Sequence, residues 1–300
     1  MKKRILAILL AFCMALTSLA AAAAEEDEPA PAGEAKPRER NSTAVATLAG
    51  DVNGDGKVSA SDASLILRWY TWLIDGSQIR SMINADVNRD FDVDPSDAAM
   101  ILRGVVGLIT LPKFPSQDRT LVSELLVNSY FTDSFTEMIA WYIQNLPAGN
   151  RRNLLYAASK YIGTPYGRGE GQLDCSLFVE TAYKDAKIPE SVYPHSNSDG
   201  TLRWFKQNHP EKLHKVKQDG YYFDTSAWKP GTVLIYVNPE YTVIDSDGTV
   251  KSEKADHLAL FVGTVNGIDV IMDAGSDGTR LRSLWSGGKW ELTYYVDPLG

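Results

Sequence analysis

Cysteine and histidine are the residues of this chain that could supply a nucleophile and its base. The 300-residue sequence has two cysteines, Cys13 and Cys175, and four histidines. Asp174 favours the N-cap position of a helix, which would place Cys175 at the first helical position. The positive end of a helix favours thiolate over thiol, and thiolate is the nucleophilic form of cysteine. This position predicts Cys175 as a nucleophile.

A thiolate needs a base as its partner, and the four histidines differ in their surroundings. His257 opens the apolar stretch HLALFVG, which predicts a strand that would hold the ring facing Cys175. His195 lies in a polar loop and is the main alternative. His209 and His214 belong to a charged run, which favours a solvated surface. We expect His257 to be the base.

A third polar residue must orient the imidazole, and strand parity selects among the aspartates that follow the Asn266–Gly267 turn. A three-residue turn places Asp273 on the same face as His257, and this is the expected arrangement. Asp269 is then excluded, because it lies roughly 20 Å along the strands from His257. A two-residue turn without a bulge would instead make Asp277 the candidate.

Helical patterns precede strand patterns in the region that must position these groups. Helices are expected at about 151–162 and 175–186, and strands at 232–237, 257–263, 268–273 and 292–296. This order predicts an α+β fold. Residues 113–149 also have apolar residues near helical spacing, so we expect a helical connecting segment there.

Residues 1–24 have the pattern of a secretory signal peptide. A basic start precedes an apolar run and five small residues, and the run is too short for a membrane span. A lipoprotein anchor at Cys13 is disfavoured by Phe12 before it. Cleavage would leave one cysteine and no internal disulfide. We expect a secreted, extracellular protein without a membrane span in its mature form.

The mature chain should be acidic and should begin with a disordered linker. Loss of the three basic residues in the signal peptide takes the formal net charge from −8 to −11. This charge argues against a nucleic-acid partner. Residues 25–46 are rich in Pro, Ala and charge and have little to bury, which predicts disorder.

An internal repeat has the spacing of a calcium site. The sequence DVNGDGKVSASD at 51–62 returns as DVNRDFDVDPSD at 86–97, each time followed by an apolar helical stretch. Calcium binds about six to eight oxygen ligands, and such loops supply them from positions 1, 3, 5, 7, 9 and 12. Position 6 is Gly56 in the first loop, but Phe91 in the second. The predicted ligands are Asp51, Asn53, Asp55, the Lys57 carbonyl, Ser59 and Asp62, then Asp86, Asn88, Asp90, the Asp92 carbonyl, Asp94 and Asp97.

The duplicated loop–helix pattern with Asp at position 12 resembles the type I dockerins, which attach enzymes to cohesin domains of cellulosome scaffoldins. The resemblance covers 47–112 and implies a small all-α module, two structural Ca²⁺ ions and a cohesin partner. Folding and calcium binding should be coupled, because the carboxylates of an empty loop repel one another. By resemblance, the cohesin contacts are Ala60, Ser61, Leu67 and Arg68 in one copy, and Pro95, Ser96, Leu102 and Arg103 in the other.

Four motifs in residues 150–300 resemble those of the NlpC/P60 family of cell-wall cysteine peptidases. They are Gly163-Thr-Pro-Tyr166, Asp174-Cys-Ser176, Trp228-Lys-Pro-Gly231 and His257-Leu-Ala-Leu-Phe-Val-Gly263. The family implies a papain-like core with helices packed on an antiparallel sheet. It implies roles for Cys175 as nucleophile, His257 as base and Asp273 as third polar residue, with Tyr166 beside the oxyanion. Leu177 and Arg168 depart from the family pattern.

The resemblance implies a cysteine peptidase that hydrolyses amide bonds in peptidoglycan stem peptides, after γ-D-glutamyl and without a cofactor for catalysis. A CHAP-like amidase and a protease or transferase acting on protein are alternatives within the same broad class. A non-catalytic cell-wall-binding module carried by a dockerin is an alternative of a different class. The intact Cys, His and Asp set favours an enzyme.

Overall fold

The computed structural model describes residues 48–114, 116–194, 196–219, 222–247, 250–284 and 291–300. The predicted signal peptide and linker lie outside the described residues.

Helix caps in the N-terminal repeat are already visible in its sequence. Helices α1 (Ala60–Tyr70) and α3 (Pro95–Val105) each start with a capping box, and the short α2 (Met82–Ala85) lies between them. The α1 and α3 helices pack together through equivalent buried residues, Ile66 and Ile101.

Among the described residues, five further α-helices precede the main sheet. They are α4 (Arg119–Leu126), α5 (Asp133–Asn145), α6 (Asn150–Ser159), α7 (Cys175–Asp185) and α8 (Ser198–Asn208). The α4 and α5 helices lie within the predicted connecting segment, and α5 buries a large apolar face that includes Phe135 and Trp141. The α8 helix, which begins after the N-cap Asn197, is absent from the sequence-based expectations.

Apolar strands in the C-terminal half form a six-stranded antiparallel sheet. Its order is β1-β10-β4-β7-β8-β9, and α7 packs on β7 and β8. Two short two-stranded ribbons are inserted between its strands in sequence, β2 with β3 after β1 and β5 with β6 after β4. The strands are β1 (Leu213–Lys215), β2 (Gln218–Asp219), β3 (Tyr222–Phe223), β4 (Val233–Val237), β5 (Val243–Ile244), β6 (Val250–Ser252), β7 (Ala255–Val265), β8 (Ile268–Gly275), β9 (Gly278–Ser283) and β10 (Glu291–Val296). The mixture of helices and sheet confirms the predicted α+β class.

One continuous apolar core links the repeat, the connecting helices and the sheet. It extends from Val52 in the first loop to Val296 in β10. Val45–Gly300 accordingly forms one compact unit. Across the described part of the chain, no helix combines the length and apolar character needed to cross a bilayer.

The pairing of β7 with β8 places Asp273 on the expected face of the sheet, but the turn between the two strands is not the expected one. Val265 pairs with Ile268, so the connection is a two-residue turn and the expected three-residue turn is wrong. Asn266 (φ 50°) and Gly267 (φ 69°) both have the left-handed backbone that tight hairpin turns require. A bulge then adds one residue to β7 between Phe261 and Gly263.

With the two-residue turn alone, Asp273 would lie on the face of the sheet opposite His257. The extra residue in the bulge returns Asp273 to the face of His257. Asp273 pairs with Ala259, two residues from His257 and on the same face of the sheet. Gly263 has a φ of 151°, a conformation that glycine adopts readily. A Cβ at Gly263 would lie 2.4 Å from the Tyr142 hydroxyl, so the close approach of α5 also requires glycine. The two-residue turn and the bulge together place Asp273 beside His257.

Candidate active site and calcium loops

Cys175 lies at the first residue of α7, where the helix start is well capped. The Asp174 carboxylate accepts a hydrogen bond from the Leu177 N–H at 2.8 Å. The thiol is free and buried, with its sulfur 3.5 Å from the Ser198 hydroxyl and 3.8 Å from the Asp256 carbonyl oxygen. The sulfur therefore lies at the positive end of the helix dipole, which favours a thiolate, and the Ser198 hydroxyl can donate a hydrogen bond to that form.

His257 connects the thiol to a buried carboxylate. Its Nε2 lies 2.9 Å from Asp273 Oδ2, and its ring also hydrogen-bonds with the Cys175 thiol. Because Nε2 contacts Asp273, the hydrogen bond between the ring and the sulfur involves the other ring nitrogen, Nδ1. Strands β7 and β8 hold the histidine and the aspartate, and α7 holds the cysteine. The structure thus brings all three predicted residues together.

The negative charge of a Cys175 thiolate and the positive charge of a His257 imidazolium stabilise each other. Burial alone would raise the pKa of Cys175, but hydrogen bonds and the charge of His257 hold it below its ordinary value, with help from Ser198 and the Leu258 N–H. Burial also opposes a charge on His257, yet its bonds to Asp273 and Cys175 raise the imidazole pKa to about 9. These shifts favour a thiolate–imidazolium pair at neutral pH.

Two arginines on β9 surround Asp273 and are absent from the predicted site. Arg280 Nε lies 2.9 Å from Oδ1, and Arg282 Nη2 lies 2.6 Å from Oδ2. Burial would raise the pKa of Asp273, but His257 and Arg282 keep it well below its usual range. The carboxylate therefore stays charged and fixed in orientation. Arg280 and Arg282 are two residues apart in GTRLRS, a spacing that places both on one face of a strand. This spacing is the signal that the sequence offers, but β9 itself is not among the predicted strands.

Tyr166 and Arg168 lie in the turn before the nucleophile. Tyr166 is 43% exposed, and burial followed by the charges of Cys175 and Asp174 raises its pKa. Arg168 forms an ion pair with Asp174, and its Nη2 lies 3.1 Å from the Ser176 hydroxyl. Arg168 thus binds the N-cap residue of α7, which directly precedes Cys175.

The other described histidines lie apart from this site. His209 Nδ1 contacts Glu211 at 3.2 Å, and the His214 ring packs on Tyr295 at a centroid distance of 5.1 Å. The alternative base, His195, falls outside the described residues.

The other candidate aspartates also have different partners. Asp269 accepts hydrogen bonds from the hydroxyls of Thr264 at 2.6 Å and Thr225 at 3.3 Å. Asp277 forms an ion pair with Arg280, so it reaches the site only through that arginine. Among these aspartates, Asp273 is the one in contact with His257.

The two predicted calcium loops close through matching hydrogen bonds. Asp62 and Asp97, at position 12, accept the N–H groups of loop positions 2, 3 and 9. Asp51 and Asp86, at position 1, accept those of positions 5 and 6. Phe91 at position 6 does not disturb this pattern. Both loops thus hold their carboxylates in the same arrangement.

Buried carboxylates in these loops are suited to a hard cation. Asp51, Asp62, Asp86 and Asp97 are all buried, and none pairs with a described basic side chain. Burial, followed by the charge of Asp97, raises the pKa of Asp86 to about 7, and burial raises that of Asp97 to about 6. A cation would remove this penalty on their charged forms, and oxygen-only donors suit Ca²⁺.

Aspartate side chains alone do not provide all the ligands that a calcium ion needs in either loop. Within the described ranges, no three His, Cys, Asp or Glu side chains are arranged to hold a metal ion by themselves. A calcium ion would therefore also need the Asn, Ser and carbonyl oxygens of the loops. These are the donors that the loop positions predict.

The residues predicted to contact cohesin all lie on the surface. Leu67 and Leu102, at equivalent positions of α1 and α3, are each 41% exposed. The remaining exposed members are Ala60, Ser61, Arg68, Pro95, Ser96 and Arg103. The two copies present similar surfaces.

Comparison with known families identifies the calcium repeat. Residues 49–105 match the family model of the Dockerin type I domain, which confirms this part of the prediction. Domains of this family bind calcium and cohesin, so the match indicates an extracellular, cellulosome-associated protein. No curated protein and no solved structure matches the chain.

Proposed function

We propose that this chain is a cysteine peptidase of the NlpC/P60 type that a dockerin delivers to a cellulosome. One observation carries the proposal: Cys175 at a helix start, His257 and Asp273 form a continuous hydrogen-bonded set. A helix bearing the nucleophile that packs on strands bearing the base and its orienting acid is also consistent with a papain-like core.

The arrangement supports acyl transfer through a thioester. The Cys175 thiolate attacks the carbonyl carbon of an amide, and the Cys175 N–H with Tyr166 stabilises the oxyanion. The His257 imidazolium then donates its proton to the leaving amine, which departs as the thioester forms. Neutral His257 next takes a proton from water, whose oxygen attacks the thioester and releases the acid and the thiol. Asp273 keeps the ring oriented throughout.

The proposed substrate is the stem peptide of peptidoglycan, cleaved after γ-D-glutamyl. Support comes from the four motifs shared with cell-wall peptidases and from the extracellular location that the dockerin indicates. The dockerin would bind one Ca²⁺ in each loop and attach the enzyme to a cohesin through the exposed faces of α1 and α3.

Digestion of purified sacculi tests the proposed reaction. Wild-type protein should release muropeptide fragments that mass spectrometry identifies as products of cleavage after γ-D-glutamyl. Cys175→Ala, purified in parallel, should release none, because no other group replaces the thiolate.

Other outcomes of this digestion would contradict the proposal in different ways. Cleavage between sugar and peptide would indicate an amidase, and equal fragments from Cys175→Ala would exclude the thiol mechanism. Intact sacculi after incubation with wild type would refute the cell-wall substrate.

A further inference from the structure

The second calcium loop has side chains at two backbone positions where the first loop has glycine. Arg89 (φ 66°) and Phe91 (φ 68°) have left-handed backbone, as do their equivalents Gly54 (φ 72°) and Gly56 (φ 82°). This conformation is uncommon and unfavourable for residues other than glycine. Contacts of these side chains must therefore offset the cost.

Both side chains pack against segments outside the matched dockerin. The Phe91 ring meets Tyr142 of α5 edge-on, with centroids 5.0 Å apart. The Arg89 guanidinium lies over the Phe114 ring at 4.7 Å and donates to the Lys113 carbonyl. In the first loop, a Cβ at Gly56 would meet no atom within 4 Å.

The backbone of the second loop is bonded to the β7–β8 turn. The Asn266 N–H donates to the Phe91 carbonyl at 2.6 Å, and the Val93 N–H donates to Asn266 Oδ1 at 2.8 Å. Two hydrogen bonds therefore join residues more than 170 positions apart in sequence.

Tyr142 extends this contact to the bulge that sets the register of the hairpin. Its hydroxyl lies 2.4 Å from the position that a Cβ on Gly263 would take, and so close to β7. The bulge at Gly263 gives Asp273 the same face as His257. The second loop, α5 and the hairpin thus form one packed set.

We propose that the second calcium loop is an intramolecular clamp on the β7–β8 hairpin, so that Ca²⁺ in this loop rigidifies the strands that bear His257 and Asp273. The clamp rests on the proposed calcium binding and is independent of the proposed substrate. Predicted ligand positions 5 and 7, Asp90 and Asp92, flank Phe91, so an ion bound there would fix the residues that contact the turn. Without the ion, repulsion among the loop carboxylates favours an open loop.

Hydrogen exchange of the full chain, read by mass spectrometry, tests the clamp. Chelation of Ca²⁺ should speed exchange in peptides covering 261–271 by about tenfold or more, because the turn loses its partner. Asp90→Ala should have the same effect in the presence of Ca²⁺. Asp55→Ala, the matched change in the first loop, should leave the hairpin protected.

A second variant separates the clamp from dockerin folding. Phe91→Gly introduces the residue that position 6 of the calcium loop prefers and removes the ring that contacts Tyr142. Calcium binding measured by calorimetry should therefore persist. Exchange in the hairpin should nevertheless be fast and insensitive to Ca²⁺. Hairpin exchange like that of wild type in Phe91→Gly, or unchanged by chelation, would overturn the clamp alone. Absence of calcium binding to wild type would overturn the proposed calcium sites as well.

Discussion

His257→Ala is expected to lower kcat/KM for amide hydrolysis by about 10³- to 10⁴-fold. The imidazole has two tasks in the proposed reaction, since its charge stabilises the Cys175 thiolate and its proton goes to the leaving amine. Alanine removes both tasks at once and leaves the Asp273 carboxylate paired with Arg280 and Arg282. Initial rates of fragment release from sacculi measure the effect.

Controls for His257→Ala are available on the surface of the same chain. His209→Ala and His214→Ala should keep kcat/KM within about twofold of wild type, because neither ring contacts the site. Circular dichroism and thermal unfolding establish that each variant is folded. A folded His257→Ala that retains more than a tenth of the activity would contradict the assigned base.

Removal of Ca²⁺ with EGTA is expected to weaken cohesin binding by at least about 10³-fold. Four buried carboxylates lose their counter-ion, and the loops that hold α1 and α3 then repel themselves. The predicted cohesin contacts lie on these two helices, so the affinity should fall with the loss of the fold. Calorimetry against a panel of type I cohesins measures the change, and far-ultraviolet circular dichroism measures the helix content.

Two additions define the specificity of the calcium effect. Excess Ca²⁺ should restore binding after chelation. Mg²⁺ at the same concentration should not, because it demands tighter octahedral geometry than these loops offer. Equal cohesin affinity with and without EGTA would show that the loops do not need the ion.

Local signals were sufficient to predict where Cys175 and His257 lie in the fold. Asp174 caps α7 and so places Cys175 at its start, and an apolar run after His257 predicts a strand. The repeat spacing likewise predicted the calcium loops, because each loop is contiguous in sequence. These features depend on neighbouring residues, which a sequence displays directly.

Features that depend on distant contacts were predicted poorly or by the wrong route. Asp273 was placed on the correct face through a three-residue turn, whereas the structure reaches that face through a two-residue turn and a bulge next to Gly263. Arg280 and Arg282 were missed because β9 is short and Leu281 is its one large apolar residue, so the sequence offers little indication of a strand. Contacts between Phe91 and the hairpin join parts of the chain that no local pattern connects.

The ionisation of Cys175 is the most direct test of the proposed catalytic site. In a chain lacking residues 1–24, Cys175 is the single thiol, so the rate of alkylation by iodoacetamide reports on it alone. A free cysteine has a pKa of about 8.5. We predict an alkylation midpoint below this value, with the imidazolium partner retained up to about pH 9. A midpoint at or above 8.5 would mean that His257 does not activate the thiol, and would contradict the account.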